Sequence, residues 1–99
     1  MDLKEQSKQK IYDYFKSLCL DYSIIILDNY TIEMDDLYVF YYDSKEYIVD
    51  GNPSYALAGN SGIIVDKTNL ELYTTSNTIP IEDYIRLFKT DKSKLQKME

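Results

Sequence analysis

Histidine and tryptophan are absent from this chain of 99 residues, and cysteine occurs once, at Cys19. Without histidine, the commonest general base and metal ligand is missing, which leaves catalysis little support. Cys19 has neither a histidine to activate it nor a second cysteine to pair with. It therefore predicts no catalytic thiolate and no internal disulfide, and it agrees with a reducing compartment. Its place on a helix flank predicts a small, half-buried filler. No apolar run approaches the roughly 18 residues that would cross a bilayer. The first six residues, Met1-Asp2-Leu3-Lys4-Glu5-Gln6, are charged and do not lead into a signal-peptide core. The expectation is a cytoplasmic protein with no membrane contact.

Basic residues are scarce where acidic ones are dense. Residues 21–50 carry eight acids (Asp21, Asp28, Glu33, Asp35, Asp36, Asp43, Glu46, Asp50) against Lys45 alone. Residues 86–99 reverse the balance, with Arg86, Lys89, Lys92, Lys94 and Lys97 against Asp91 and Glu99. The net charge of −6 repels nucleic-acid phosphates and suits a basic protein partner, because summed charge steers association. A 44% hydrophobic fraction and 28% charge are those of one ordinary globular domain, not of a disordered chain.

Periodicity predicts a first helix over residues 3–20, with Ile11, Tyr14, Phe15 and Leu18 on its apolar face. Ile24-Ile25-Ile26-Leu27 is too β-branched for helix and reads as a strand near the centre of a sheet. Residues 30–34 form either its bulged continuation or a second strand. Residues 37–42 give the clearest strand, apolar on both faces, and Tyr47-Ile48-Val49 is expected to return antiparallel to it across Asp43-Ser44-Lys45-Glu46. A strand at 62–66 pairs with 70–74 across Asp66-Lys67-Thr68-Asn69. Pro80 opens a final helix with Glu82 and Asp83 early and Arg86 and Lys89 late, matching its dipole. Its buried face is Ile81, Tyr84, Ile85 and Phe88. This order predicts an α+β domain over residues 1–90: one antiparallel sheet of about four to six strands with both terminal helices on one face. Residues 91–99, charged and poor in apolar content, are expected to fray.

No constellation selects a catalytic, cofactor or metal site. Ser54 and Ser61 lack a nucleophile elbow. Gly59-Asn60-Ser61-Gly62 is followed by a strand and not by the helix a phosphate cradle needs. Glu33, Asp35 and Asp36 do not have the spacing of a calcium loop, and read as an acidic hairpin end. Of the eleven tyrosines, Tyr12, Tyr14, Tyr84 and most of Tyr38, Tyr41, Tyr42 and Tyr47 are assigned to the core or its edge, while Tyr30, Tyr42 and Tyr55, flanked by acids, suit an interface.

One stretch says more than composition does. Ser54-Tyr55-Ala56-Leu57-Ala58-Gly59-Asn60-Ser61-Gly62-Ile63-Ile64-Val65-Asp66-Lys67 combines a turn, small residues and a buried strand. Gly59, Asn60 and Gly62 tolerate positive φ, and Ala56 and Ala58 let the corner lie close to a neighbour. With Leu37-Tyr38-Val39-Phe40-Tyr41-Tyr42-Asp43-Ser44 before it and Pro80-Ile81-Glu82-Asp83-Tyr84-Ile85 after it, the stretch resembles the immunity protein 35 family, or YrhB domain. Two positions depart from the family pattern: Tyr38 stands where tryptophan is common, and the turn after Lys67 has Asn69 where glycine is usual. The resemblance implies a non-enzymatic immunity protein, encoded beside a bacterial toxin gene, that binds and neutralises the cognate toxin. Charge and exposure, not the family, nominate the contact residues: Asp28, Glu33, Asp35, Asp36, Asp43 and Glu46, with Tyr30 and Tyr42 as anchors. A small accessory or chaperone-like binding protein is the alternative, and a carboxylate-dependent hydrolase a lesser one.

Overall fold

The computed structural model describes residues 2–56 and 61–98. Helix α1 (Leu3–Ser17) starts at Asp2, whose carboxylate accepts the Glu5 amide at 2.8 Å. Ile11 is fully buried, with Tyr12, Tyr14 and Phe15 packed around it. The helix ends earlier than its pattern predicts. Cys19, just past the C-cap Leu18, takes φ 53°, a left-handed position where helices ordinarily place glycine. That turn leaves Leu18 and Cys19 exposed, so neither fills the core as expected.

Strands β1 (Ile24–Ile26) and β2 (Ile32–Glu33) are separated by a 3-10 turn at Asp28–Tyr30. Opposite them run β3 (Leu37–Phe40) and β4 (Tyr42–Ser44), with Ile26 facing Tyr42 and Ile32 facing Val39. Residues 24–33 and 37–44 are thus the two arms of one long interrupted hairpin. The Leu27 amide still reaches the Tyr41 carbonyl at 2.8 Å across the break. Strand β1 lies in a two-stranded sheet with β4, not at the centre of the main sheet.

The chain then departs from expectation. Ser44, fully buried, caps a short helix α2 (Lys45–Ile48): its Oγ accepts the Tyr47 amide at 3.1 Å and donates to the Tyr55 carbonyl at 2.5 Å. Tyr47-Ile48-Val49 therefore does not return as a strand. The neighbour of β3 is β5 (Ile63–Asp66), and β5 pairs with β6 (Leu72–Thr74). The main sheet has the order β2-β3-β5-β6-β7, all antiparallel.

All four residues of β3 and all four of β5 are buried. Tyr38, Phe40, Ile63, Val65 and Leu72 face α1 and β1. Leu37, Val39, Ile64 and Tyr73 face helix α3 (Ile81–Thr90), through Phe88, Ile81, Tyr84 and Ile85. The two helices cover opposite faces of the sheet, not the same one. The reason is the alternation in β3 and β5, which puts large apolar side chains on both sides, each needing a cover.

Residues 91–98 do not fray. Leu95 is buried beside Phe88, β7 (Gln96–Lys97) pairs with β6, and the Met98 amide donates to the Leu72 carbonyl. One apolar anchor and the open edge of β6 outweigh the charged composition. Lys92 reaches back across the Phe88 ring to Asp66, Nζ to Oδ2 at 2.8 Å. Asp66 is 1% exposed and also accepts the Thr68 amide, which closes the β5–β6 turn. In that turn Leu70, not Asn69, holds the positive φ of 60°. Asn69 instead accepts the Glu71 amide through its side chain.

Ala58, Gly59 and Asn60 lie outside the described residues, and Ala56 is exposed. Gly62 is needed for space and not for positive φ: a Cβ there would stand 2.7 Å from Val39 Cγ1 and 3.2 Å from the Tyr41 ring.

Three measurements check this account. Gly62→Ala should destabilise the protein by about 1–3 kcal/mol in a denaturant titration, because Val39 is fully buried and branched and cannot move aside. Cys19→Gly should raise stability by about 0.5–1 kcal/mol, since it relieves a left-handed residue at an exposed site. Burial pushes the Asp66 carboxyl up, but hydrogen bonds from Lys92 and Thr68 outweigh it and hold the group below its ordinary value. A folded pKa below the unfolded value of about 3.9 gives stability that is present above that pH and lost as pH falls through the folded value. Asp66→Asn should therefore flatten the acid limb of a melting-temperature profile below about pH 4. Superimposable acid limbs would remove the ion pair from the account.

Candidate functional site

The eight residues nominated by charge and exposure do not form one patch. Glu33, Asp35 and Asp36 sit at the hairpin turn, Asp28 and Tyr30 on the 3-10 interruption, and Tyr42, Asp43 and Glu46 where β4 runs into α2. Asp35 and Asp43 are separated by eight positions of mostly extended chain, roughly 26 Å. Most of the carboxylates already have partners. Asp28 accepts from Lys8 at 2.8 Å, Glu33 from Lys67 at 3.1 Å, and Asp36 from Lys89 at 3.4 Å. The hydrogen bond to Asp28 is also the main cause that lifts Lys8 above the ordinary lysine pKa. Exposed pairs of this kind contribute only about 0–1 kcal/mol each, yet they do neutralise the face that a basic partner would meet. Asp35 makes no ion pair among the described residues, and Tyr30 is 66% exposed.

Tyr42 is half-buried, its ring tilted against Phe15 at 4.8 Å. Burial, and then the neighbouring Tyr22 and Tyr14, raise its phenol pKa. It joins α1 to β4 and is a packing residue more than an anchor. Tyr12 and Tyr84 act as struts, the Tyr12 hydroxyl accepting the Ile26 amide at 3.0 Å and that of Tyr84 the Ser76 amide at 2.9 Å. Tyr38 is buried under the Lys67 ammonium at 4.6 Å and offers no surface ring.

A different surface emerges where α1 ends. Eight large apolar side chains are exposed among the described residues, and five of them belong to two segments, Leu18 and Leu20 to the end of α1 and the chain after it, Tyr47, Ile48 and Val49 to α2 and its C-cap. Val49 is 61% exposed. Ser23 fastens the two segments together. Its amide donates to both Glu46 oxygens, at 3.1 and 3.3 Å, and its carbonyl accepts the Lys45 amide at 2.8 Å. Between the end of α1 and residues 19–24 opens a cleft of about 310 Å³, walled by Tyr12, Phe15, Leu20, Tyr22 and Ile24, with Lys16 and Cys19 also lining it. Asp21, Asp43, Glu46 and Asp50 belong to the same segments, against Lys16 and Lys45.

Sequence reasoning missed this surface because it assigned Tyr47-Ile48-Val49 to a strand, where alternate residues would have been buried. The signal that could have found it is local: Ser44 followed by Lys45-Glu46 is a helix start, with an acid in the first turn. A second cleft, about 240 Å³, is lined by Tyr41, Ser61, Gly62, Thr75, Ser76 and Ile81 among others. Two of its hydroxyls are engaged with the backbone, Ser61 donating to the Thr75 carbonyl and Thr75 to that of Gly62. Among the described residues, no group of three cysteines or acids could hold a metal ion, and no helix is long and apolar enough to cross a membrane.

No protein-family model matches the chain, and no solved structure is significantly similar to it. Over 54 residues it is 28% identical to the uncharacterized protein YrhB of Escherichia coli (strain K12), an alignment covering 54% of this chain and 57% of that relative. The chain thus matches little more than half the length of the relative, and what the similarity supports is a YrhB-like α+β protein.

Proposed function

We propose that this protein is a cytoplasmic, stoichiometric binder of the immunity type, which neutralises a cognate toxin by covering a basic region of its surface. The observation that carries the reading is the exposure of Leu18, Leu20, Tyr47, Ile48 and Val49 on two segments that Ser23 ties together and that also carry Asp21, Asp43, Glu46 and Asp50. Clustered exposed apolar side chains with a polar surround are typical of protein-binding surfaces. The surface is also pre-shaped. Ser44 caps α2, Glu46 is held by the Ser23 amide, and Tyr42 is locked on Phe15, so little ordering is required on association. The resemblance of the motif residues to the immunity protein 35 family suggests the role, while the YrhB likeness is to an uncharacterized protein and leaves the partner to the surface itself.

The accessory, chaperone-like alternative uses the same apolar residues without a unique partner. Co-purification with the product of the adjacent gene separates the two. The immunity reading expects a one-to-one complex whose affinity falls about tenfold or more when salt is raised from 0.05 to 0.5 M, on the order of 1.4 kcal/mol. Absence of a complex, together with suppression of aggregation of unrelated unfolded chains, would replace immunity by the accessory role. A complex indifferent to salt would retain binding and remove the electrostatic part.

A further inference from the structure

Resting on that reading, we infer that the α1–α2 end is a receptor for a cationic amphipathic helix of the partner, with one or two large apolar side chains seated in the cleft between α1 and residues 19–24. The cleft sets the scale. At about 310 Å³ it lies at the lower limit of small-molecule pockets, which run to roughly 1,000 Å³. Its walls are aromatic and aliphatic, from Phe15, Leu20, Tyr22 and Ile24, which suits side-chain anchors.

Strand addition is disfavoured here. The outward Ile26 amide of β1 is already bonded to the Tyr12 hydroxyl, so the edge offers no continuous ladder. The outer strands of the main sheet, β2 and β7, are two residues long. Recognition at this end therefore runs through side chains, the mode in which an amphipathic helix lays its apolar stripe into a groove. Charge then selects the sign of that helix. Asp21, Asp43, Glu46 and Asp50 outnumber Lys16 and Lys45, and of these acids Asp21 and Asp50 are exposed and make no ion pair among the described residues. Lysines or arginines flanking the apolar stripe would find partners there, and glutamates would be repelled. The hairpin turn, where Glu33 and Asp36 are bonded to Lys67 and Lys89, has both less free charge and no apolar floor.

The test needs no toxin, so it fails or succeeds separately from the immunity reading. A synthetic leucine–lysine amphipathic peptide of about 18 residues, five helical turns, is titrated into the labelled protein and the amide shifts are mapped by NMR. A leucine–glutamate peptide of the same pattern serves as the control. Shifts confined to residues 16–24 and 45–50 with the lysine peptide, weaker in high salt and absent with the glutamate peptide, are expected. The double variant Ile48→Ser, Val49→Ser should weaken binding about tenfold or more without lowering the melting temperature, since both side chains are exposed. Four results overturn the inference: no binding, equal binding of both peptides, shifts centred on residues 33–36, or shifts at the same end on concentrating the protein alone, which would make the occupant a second copy. Toxin binding that survives the double variant would also overturn it, while leaving the immunity reading intact.

Discussion

Burial of strand β3 on both faces is the constraint on which the remaining architecture depends. Leu37, Tyr38, Val39 and Phe40 are all within 4% of complete burial, and each such side chain contributes on the order of 1.5–3 kcal/mol. No arrangement with helices on one side could bury both sets. Helix α1 therefore closes over Tyr38 and Phe40, and α3, with Leu95 behind it, closes over Leu37 and Val39. The surface ion pairs that decorate this core contribute about 0–1 kcal/mol each, so they tune the fold and do not set it. Asp66 is the exception, because its carboxylate is buried and ties the β5–β6 turn to the segment after α3.

Residues that carry the family resemblance turn out to be joined to one another. Ser44 at the end of the first motif holds the Tyr55 carbonyl in the second. Gly62 in the second gives way to Val39 and Tyr41 in the first. Asp66 and Lys67 close a turn, receive Lys92 and cover Tyr38. Tyr84 in the third steadies the loop at Ser76. The motifs are the joints of the fold. Such joints speak to architecture, and the proposed binding surface lies outside them, at α2 and the end of α1.

Much of the fold was legible because it depends on period. The 3.6-residue stripes of α1 and α3, the two-sided strand at 37–40 and the hairpin at 63–74 follow directly from where the apolar residues stand. What failed depended on single residues. The left-handed turn at Cys19 cut α1 short, one buried serine converted Tyr47-Ile48-Val49 from strand to helix, and one leucine pulled the charged C-terminal segment onto β6. Relative placement was also hidden: a residue's period shows that it is covered, not by what. The candidate surface was the least legible part. Counting acids along the sequence gathers residues that the hairpin spreads over roughly 26 Å, and pairing with Lys8, Lys67 and Lys89 is invisible until the chain is folded.

The order of strands has a kinetic consequence. The β2–β3 and β5–β6 hairpins close through short turns, Asp66 and Leu70 being joined across one of them. The central seam between β3 and β5 is different, since it brings Phe40 to Ile63 and Leu37 to Asp66. More than twenty residues of chain have to be closed before that seam can form, and the last edge joins Tyr73 to Lys97 over a comparable span. Loop-closure entropy for such separations is met only when the buried faces of β3 and β5 come together. The molecule is thus assembled from two quick local ribbons waiting on one slow encounter, and its folding speed is set by topology more than by any one contact.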